Sequence, residues 1–514
     1  MTKRWRTMGV GLAAALALTA MPVAVQGEVL FDGPARAFWQ EQAVLVYGEP
    51  VEGAINNRTF SQAWALQTEA ADRIRVWVER LEGNLIPDVS LQDATGSVLA
   101  RSQADDTRAL AVIRDHKLPG PGTYQVVVGR DRGETGETSG TYRLTVEVLG
   151  TGTDHPNNTA ISGAVELDTP VSGELTPEHW RHVYTLDGVL GDLILVSASR
   201  QSGTLLPRVE LQDANGQSLG TGNVDEQGVT ARFGPFELRA AGQFRVLVYR
   251  DRGIDGDTAG AYELTVTLLG SGENSARLAI PPKALEAYDV AVQGAISNER
   301  WYEDWQFTAS AADLITIAVA RLPGPANTLR PQVFLLGGAA QELARANPDS
   351  TGAAATLERF KLPSPGTYTV RVVRDRGKAG VTSGQYELRI TLVGAGEGSP
   401  TLAAASGAIQ TGVPVEGEIT NTRWADTWTY SGQAGEVIDI IVTRTEGTLI
   451  PRIDILDANR QPLRNAQPSP TADTAILQRY QLPASAGYYV VVSRDKGQQG
   501  ATAGTYSLVV KLSE

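Results

Sequence analysis

The residues best suited to do chemistry recur as a four-residue string. Arg130-Asp131-Arg132-Gly133, Arg250-Asp251-Arg252-Gly253, Arg374-Asp375-Arg376-Gly377 and Arg494-Asp495-Lys496-Gly497 share one pattern. The second copy continues Ile254-Asp255-Gly256-Asp257, so Asp251, Asp255 and Asp257 stand on one glycine-rich loop. Three carboxylates so spaced suit calcium, which takes roughly six to eight oxygen ligands. The first copy offers Asp131, Glu134 and Glu137, but the third and fourth keep only Asp375 and Asp495 of this set. A carboxylate that recurs while its neighbours vanish is better explained by bonds to loop amides or to the adjacent arginine. Asp131, Asp251, Asp375 and Asp495 are therefore expected to be structural. Calcium on the second loop is the competing expectation, and no other cofactor is expected.

Aromatic residues form the second recurring constellation. Gly53, Gly173, Gly294 and Gly417 each open a unit. Seven residues later stand Phe60, Trp180, Trp301 and Trp424, and eleven later Trp64, Tyr184, Trp305 and Trp428. Exposed tryptophans stack on sugar rings; buried ones supply much of a core's contact area. On one continuous strand, residues four apart share a face. Burial is favoured for both sets, which leaves Trp180, Trp301 and Trp424 as ligand-contact candidates only if exposed. Trp77 falls on the polar side of its segment and joins them.

Catalytic chemistry finds little support. The chain has no cysteine and four histidines, and none of the histidines recurs between units. His179 and His182 are three apart, on opposite faces of a strand, and so do not share a metal. No nucleophile elbow, zincin helix, phosphate loop or dinucleotide fingerprint is present. Paired carboxylates would serve a glycosidase only beside a cleft. The expectation is that the protein is not an enzyme.

These residues sit in a chain of 514 residues that repeats itself four times. The repeated strings lie 120, 124 and 120 residues apart, and each aspartate precedes a Gly-x-Tyr tyrosine (Tyr142, Tyr262, Tyr386, Tyr506) by eleven. Such a period is too long for a solenoid repeat and fits a whole domain. Four domains are expected at 42–149, 162–269, 283–393 and 406–512, after a leader at 28–41. The joints, such as Gly150-Thr151-Gly152-Thr153-Asp154, have the short glycine-rich composition of flexible connectors. Within a unit the apolar period is two: Ile74, Val76 and Val78 alternate with Arg75, Trp77 and Glu79. About eight short strands per unit predict an all-β protein of four tandem antiparallel β-sandwiches, jelly-roll-like, joined by short glycine-rich linkers.

The order of motifs resembles the bacterial pre-peptidase C-terminal domain. It runs Gly83-Asn84-Leu85-Ile86-Pro87 to Asp93, then Leu118-Pro119 to Tyr124, then Gly140 to Leu144. The third copy departs with Thr328-Leu329-Arg330-Pro331 and a Gly337-Gly338 turn, and the second has Phe244 for tyrosine and lacks the Leu-Pro pair. The resemblance implies a secreted accessory β-sandwich, often attached to a peptidase. Some related sandwiches bind calcium, collagen or polysaccharide.

Residues 1–27 read as a signal peptide. Lys3, Arg4 and Arg6 precede an apolar run from Val10 to Met21, with Val25 and Gly27 before a cut. Removing them takes the net charge from −13 to −16, and the acidity argues against a nucleic-acid partner. No later segment has the length of a membrane span. The expected protein is secreted or periplasmic, bacterial and non-catalytic. It would be a binding, adhesion or spacer protein whose partner is an extracellular polysaccharide or protein. The alternatives are an accessory partner of a separately encoded secreted peptidase, and calcium-stabilised carbohydrate- or protein-binding modules.

Overall fold

The computed structural model describes residues 44–513. The signal peptide and leader expected at 1–41 lie outside these residues. Alternating side chains make the strands. In β4, Ile74, Val76 and Val78 are fully buried while Arg75 and Trp77 are half-buried and Glu79 is exposed. The first body comprises β1 (Val44–Leu45), β2 (Val51–Ile55), β3 (Ser61–Thr68), β4 (Arg73–Gly83), β5 (Pro87–Gln92), β6 (Val98–Gln103), β7 (Leu110–Lys117), β8 (Gly122–Arg130) and β9 (Gly140–Gly150). They form a five-stranded sheet ordered β1-β3-β8-β5-β6 and a four-stranded sheet ordered β2-β9-β4-β7. The same two sheets recur in the next three bodies.

One pairing departs from the antiparallel expectation. β1 runs parallel to β3, as do its three counterparts. Between them the chain crosses to the other sheet as β2, and so re-enters the first sheet in its original direction.

Each body buries its own core, and the four main core clusters share no residue. A fully buried Val, Leu or Ile contributes about 1.5–3 kcal/mol. The opening glycine and the Gly-x-Tyr tyrosine, 89 residues apart in the first body, belong to one contact. Gly53 lies opposite Tyr142 in the β2–β9 register, and a Cβ at Gly53 would collide with the Tyr142 ring. The same holds at Gly173, Gly294 and Gly417.

Each tyrosine hydroxyl is then satisfied internally. Tyr142 accepts from Trp64 Nε1 at 2.8 Å and donates to Gln62 at 2.7 Å. Tyr386 and Tyr506 accept from Trp305 and Trp428 and donate to the buried carboxylates of Glu303 and Asp426. In the second body Tyr262 meets the Tyr184 hydroxyl at 2.8 Å and His182 Nδ1 at 2.7 Å. Burial pushes the Tyr142 hydroxyl up to about 12. The aromatics at +11 are thus core residues that carry one polar atom each, which explains their choice over leucine.

Candidate functional site: the joints between sandwiches

The Arg-Asp-Arg-Gly loop turns on two consecutive left-handed residues. Arg132, Arg252, Arg376 and Lys496 have φ between 62° and 65°, and the glycines that follow have φ between 53° and 58°. Only glycine enters that region without strain, so it recurs. The turn closes as a short 3-10 segment, Gly133–Thr135 in the first copy. Its carbonyls point back at the leading arginine: Arg130 Nε donates to Gly133 O at 2.8 Å, and Arg250 Nε to Gly253 O at 2.7 Å.

The leading arginine then reaches out of its own body. Arg250 Nη2 donates to the carbonyl of Leu149, at the end of the preceding sandwich, at 2.7 Å. Arg374 does the same to Leu269 and Arg494 to Val393. Arg374 and Arg494 also donate to the side chains of Asn298 and Asn421. All three arginines are at most 1% exposed, and burial lowers each guanidinium to about 10, so each remains charged at neutral pH. Burying a charge is tolerated here because its N–H fork is matched to fixed carbonyls.

The tryptophans at +7 serve the same joints. They precede their strand, which begins at Arg181, Tyr302 and Ala425, so the face-sharing argument that links +7 to +11 does not apply. Trp180 Nε1 donates to Thr151 O at 2.7 Å, Trp301 Nε1 to Ser271 O at 2.9 Å and Trp424 Nε1 to Ala395 O at 2.8 Å. A Cβ at Gly253 would come within 3.2 Å of the Trp180 ring. Trp180 and Trp301 are buried, at 4% and 8%, and Trp424 is half-buried, so these three do not form an exposed ladder. Trp77 lies elsewhere, half-buried on β4 between Val112 and Thr145.

A third group closes the joint from the other side. Asp72 accepts from Gly152 N at 2.8 Å, Asp192 from Gly272 N at 2.9 Å and Asp313 from Gly396 N at 2.7 Å. Gly150, Thr151 and Gly152 are buried, as are their counterparts. A Cβ at Gly150 would lie 2.6 Å from the Arg250 guanidinium. The linker glycines therefore permit close packing, where their composition alone had suggested flexible connectors. Sequence reasoning missed Asp72, Asp192 and Asp313. Their signal was there: each stands nineteen residues after the opening glycine.

The three joints differ in their remaining contacts. In the first, Arg73 crosses to Asp257 at 2.9 Å. In the second, Lys378 reaches Gly191 O at 3.2 Å and Glu237 at 3.0 Å. In the third, Gln498 Nε2 donates to Ala312 O at 2.9 Å.

Three of the loop aspartates face an arginine at long range. Asp251 lies 3.7 Å from Arg208, Asp375 lies 3.6 Å from Arg330, and Asp131 lies 3.9 Å from Arg132. The backbone amide of each of the four donates to a carbonyl, as Asp495 N does to Ile450 O at 2.8 Å. The calcium candidates Asp251, Asp255 and Asp257 are not brought together. Asp257 is taken by Arg73 and Asp251 faces Arg208, and among the described residues no group of three acidic, His or Cys side chains is placed to hold a metal. His182 belongs to the tyrosine network, not to a pair with His179.

Fold and site together define a tandem array of β-sandwiches with built joints. No protein-family model matches the chain, and no curated protein is similar to it in sequence. Among solved structures, it is similar to the pre-peptidase C-terminal domain of a collagenase from Bacillus anthracis. That match has 20% identity and a TM-score of 0.18, and covers 21% of this chain and 99% of that one. The BSP domain of a biofilm-associated protein matches at 9% identity and TM-score 0.15, over 93% of this chain and 99% of that one. A tetra-tandem repeat from a large adhesion protein matches at 8% identity and TM-score 0.17, over 90% and 98%.

Proposed function

We propose that this chain is a non-catalytic, exported protein that holds four β-sandwich bodies in fixed succession, as a spacer that also presents binding surfaces. One observation carries the reading: the recurring polar and aromatic residues are spent inside cores or across joints. A catalytic protein would instead aim its recurrent groups into a cleft. Export rests on residues 1–27, and the described residues contain no helix long and apolar enough to cross a membrane.

A surface on the third body favours a binding role beside the spacer role. An open cleft of about 690 Å³ there is lined by Trp301, Phe334, Leu336, Val373 and Arg371. The first body has Ser90 and Gln92 where the third has Phe334 and Leu336, so the apolar floor belongs to the third body alone of these two. Polysaccharide or protein is the partner class such a surface suits. The test is binding of the mature chain to immobilised cell-wall polysaccharides and matrix proteins, compared with Phe334→Ser. Binding lost in the variant supports a ligand surface on the third body. Equal binding by both removes it, and no binding to any target leaves the spacer role.

A further inference from the structure

Domains two to four each dock on a predecessor, and the first body carries the arginine and asparagine of that docking machinery with no neighbour on it among the described residues. Arg130 keeps the loop geometry: Nε donates to Gly133 O at 2.8 Å, Nη1 to Asn57 Oδ1 at 2.7 Å and Nη2 to Glu134 O at 3.1 Å. The remaining Nη2 proton, which in the other bodies goes to the preceding strand-end carbonyl, has no acceptor among the described residues. Gly256, Gly380 and Gly500 are buried under their joints, while Gly136 is half-buried and Glu134 is exposed where Ile254 and Gln498 are buried. Asn57 stands where Asn298 and Asn421 stand, and the backbone carbonyls of those two accept from the incoming linker.

The face also has a distinctive charge. Glu137 occupies the position of Asp257, which takes Arg73 from the preceding body, and Glu134 replaces Ile254. We infer that this face is a working joint for a further β-sandwich of the same repeat type, one presenting a basic side chain where the first body presents Arg73. The chain's own leader is a poorer occupant, because at the repeat spacing Leu30 and Asp32 stand where the linkers need Gly150 and Gly152. Phe60 in place of tryptophan removes one N–H bond to the incoming linker, so this joint is weaker than the other three.

The test duplicates residues 41–160 in tandem within the full chain, which places a second first-body ahead of the original. Hydrogen exchange of residues 130–138 in the downstream copy is expected to slow by at least tenfold. Glu137→Arg in the downstream copy should weaken the protection, and adding Arg73→Glu in the upstream copy should recover part of it. An upstream body that leaves exchange unchanged overturns the proposal, as does protection insensitive to the charge swap. Two measurements on the unduplicated chain guard the result. Faster exchange of 130–138 after deletion of residues 28–40 would make the leader the occupant, and mass that rises with concentration through this face would make it a second copy. Either overturns the proposal. The test reads docking alone, so it is independent of whether the protein binds any ligand.

Discussion

The guanidinium of Arg250 donates to the carbonyl of Leu149, 101 residues earlier and one sandwich away, at 2.7 Å. The equivalent bonds of Arg374 and Arg494 make this relationship a rule of the molecule. A string expected from the sequence to be structural supplies, through its leading arginine, a staple between bodies.

Removing a staple should loosen one joint without unfolding a core. Arg374→Ala leaves the Leu269 carbonyl and the Asn298 side chain without their charged donor. Hydrogen bonds to charged groups contribute about 1.5–3 kcal/mol each. Faster exchange at Gly270-Ser271-Gly272, with the core strands unaffected, is the expected outcome. Arg374→Lys should rescue little, because one ammonium cannot replace the planar fork. Exchange unchanged in both variants would show that the bond carries no joint stability.

Gly53→Ala tests the link between the opening glycine and the tyrosine. The added Cβ collides with the Tyr142 ring, and overpacking of this kind costs about 1–3 kcal/mol. Tyr142→Phe removes the hydroxyl, one of the atoms nearest the added Cβ, but leaves the ring carbon, so it strands Trp64 Nε1 and relieves Gly53→Ala only in part. Denaturant unfolding of both single variants and the double should show two losses. A Gly53→Ala protein as stable as the parent would contradict the packing.

His182 makes the second body sensitive to acid. Burial, with a contribution from His179, holds its imidazole below the ordinary histidine range. A group whose folded pKa is depressed binds more protons when unfolded, so stability falls as pH drops through about 6.5 and below. The melting midpoint of the second body should decline between pH 7.5 and 5. His182→Gln should flatten that decline, since Gln62 fills this position in the first body. His116 acts with the same sign on the first body, where its imidazole is also lowered by burial. A decline unaffected by His182→Gln would assign the acid response elsewhere.

Calcium should leave stability unchanged. Asp257 is engaged by Arg73 and Asp251 faces Arg208, so the second loop offers no gathered ligand set. Melting curves with calcium and with chelator are expected to coincide. A midpoint raised by calcium and abolished by Asp255→Asn would restore the metal site.

Most of the fold was legible because its causes are local. Alternation along β4 announced a strand with one wet face, and the recurrence of Tyr142 and its counterparts announced four bodies. The joints were not legible, because period-two patterning speaks of a residue's own sheet and not of a neighbouring body. Arg250 reads as a partner for the adjacent aspartate until the preceding strand end is set beside it, and Gly150 reads as flexible until Arg250 is. Trp180 was visible by type and spacing, but its partner is a linker carbonyl that no spacing rule names.

Small-angle scattering of residues 28–514, against a variant carrying Arg250→Ala, Arg374→Ala and Arg494→Ala together, tests the fixed succession of bodies most directly. The parent is expected to fit one arrangement of four docked sandwiches, and the variant to need a spread of arrangements with intact bodies. A parent that itself requires independently moving bodies, with scattering the variant does not alter, would contradict the account.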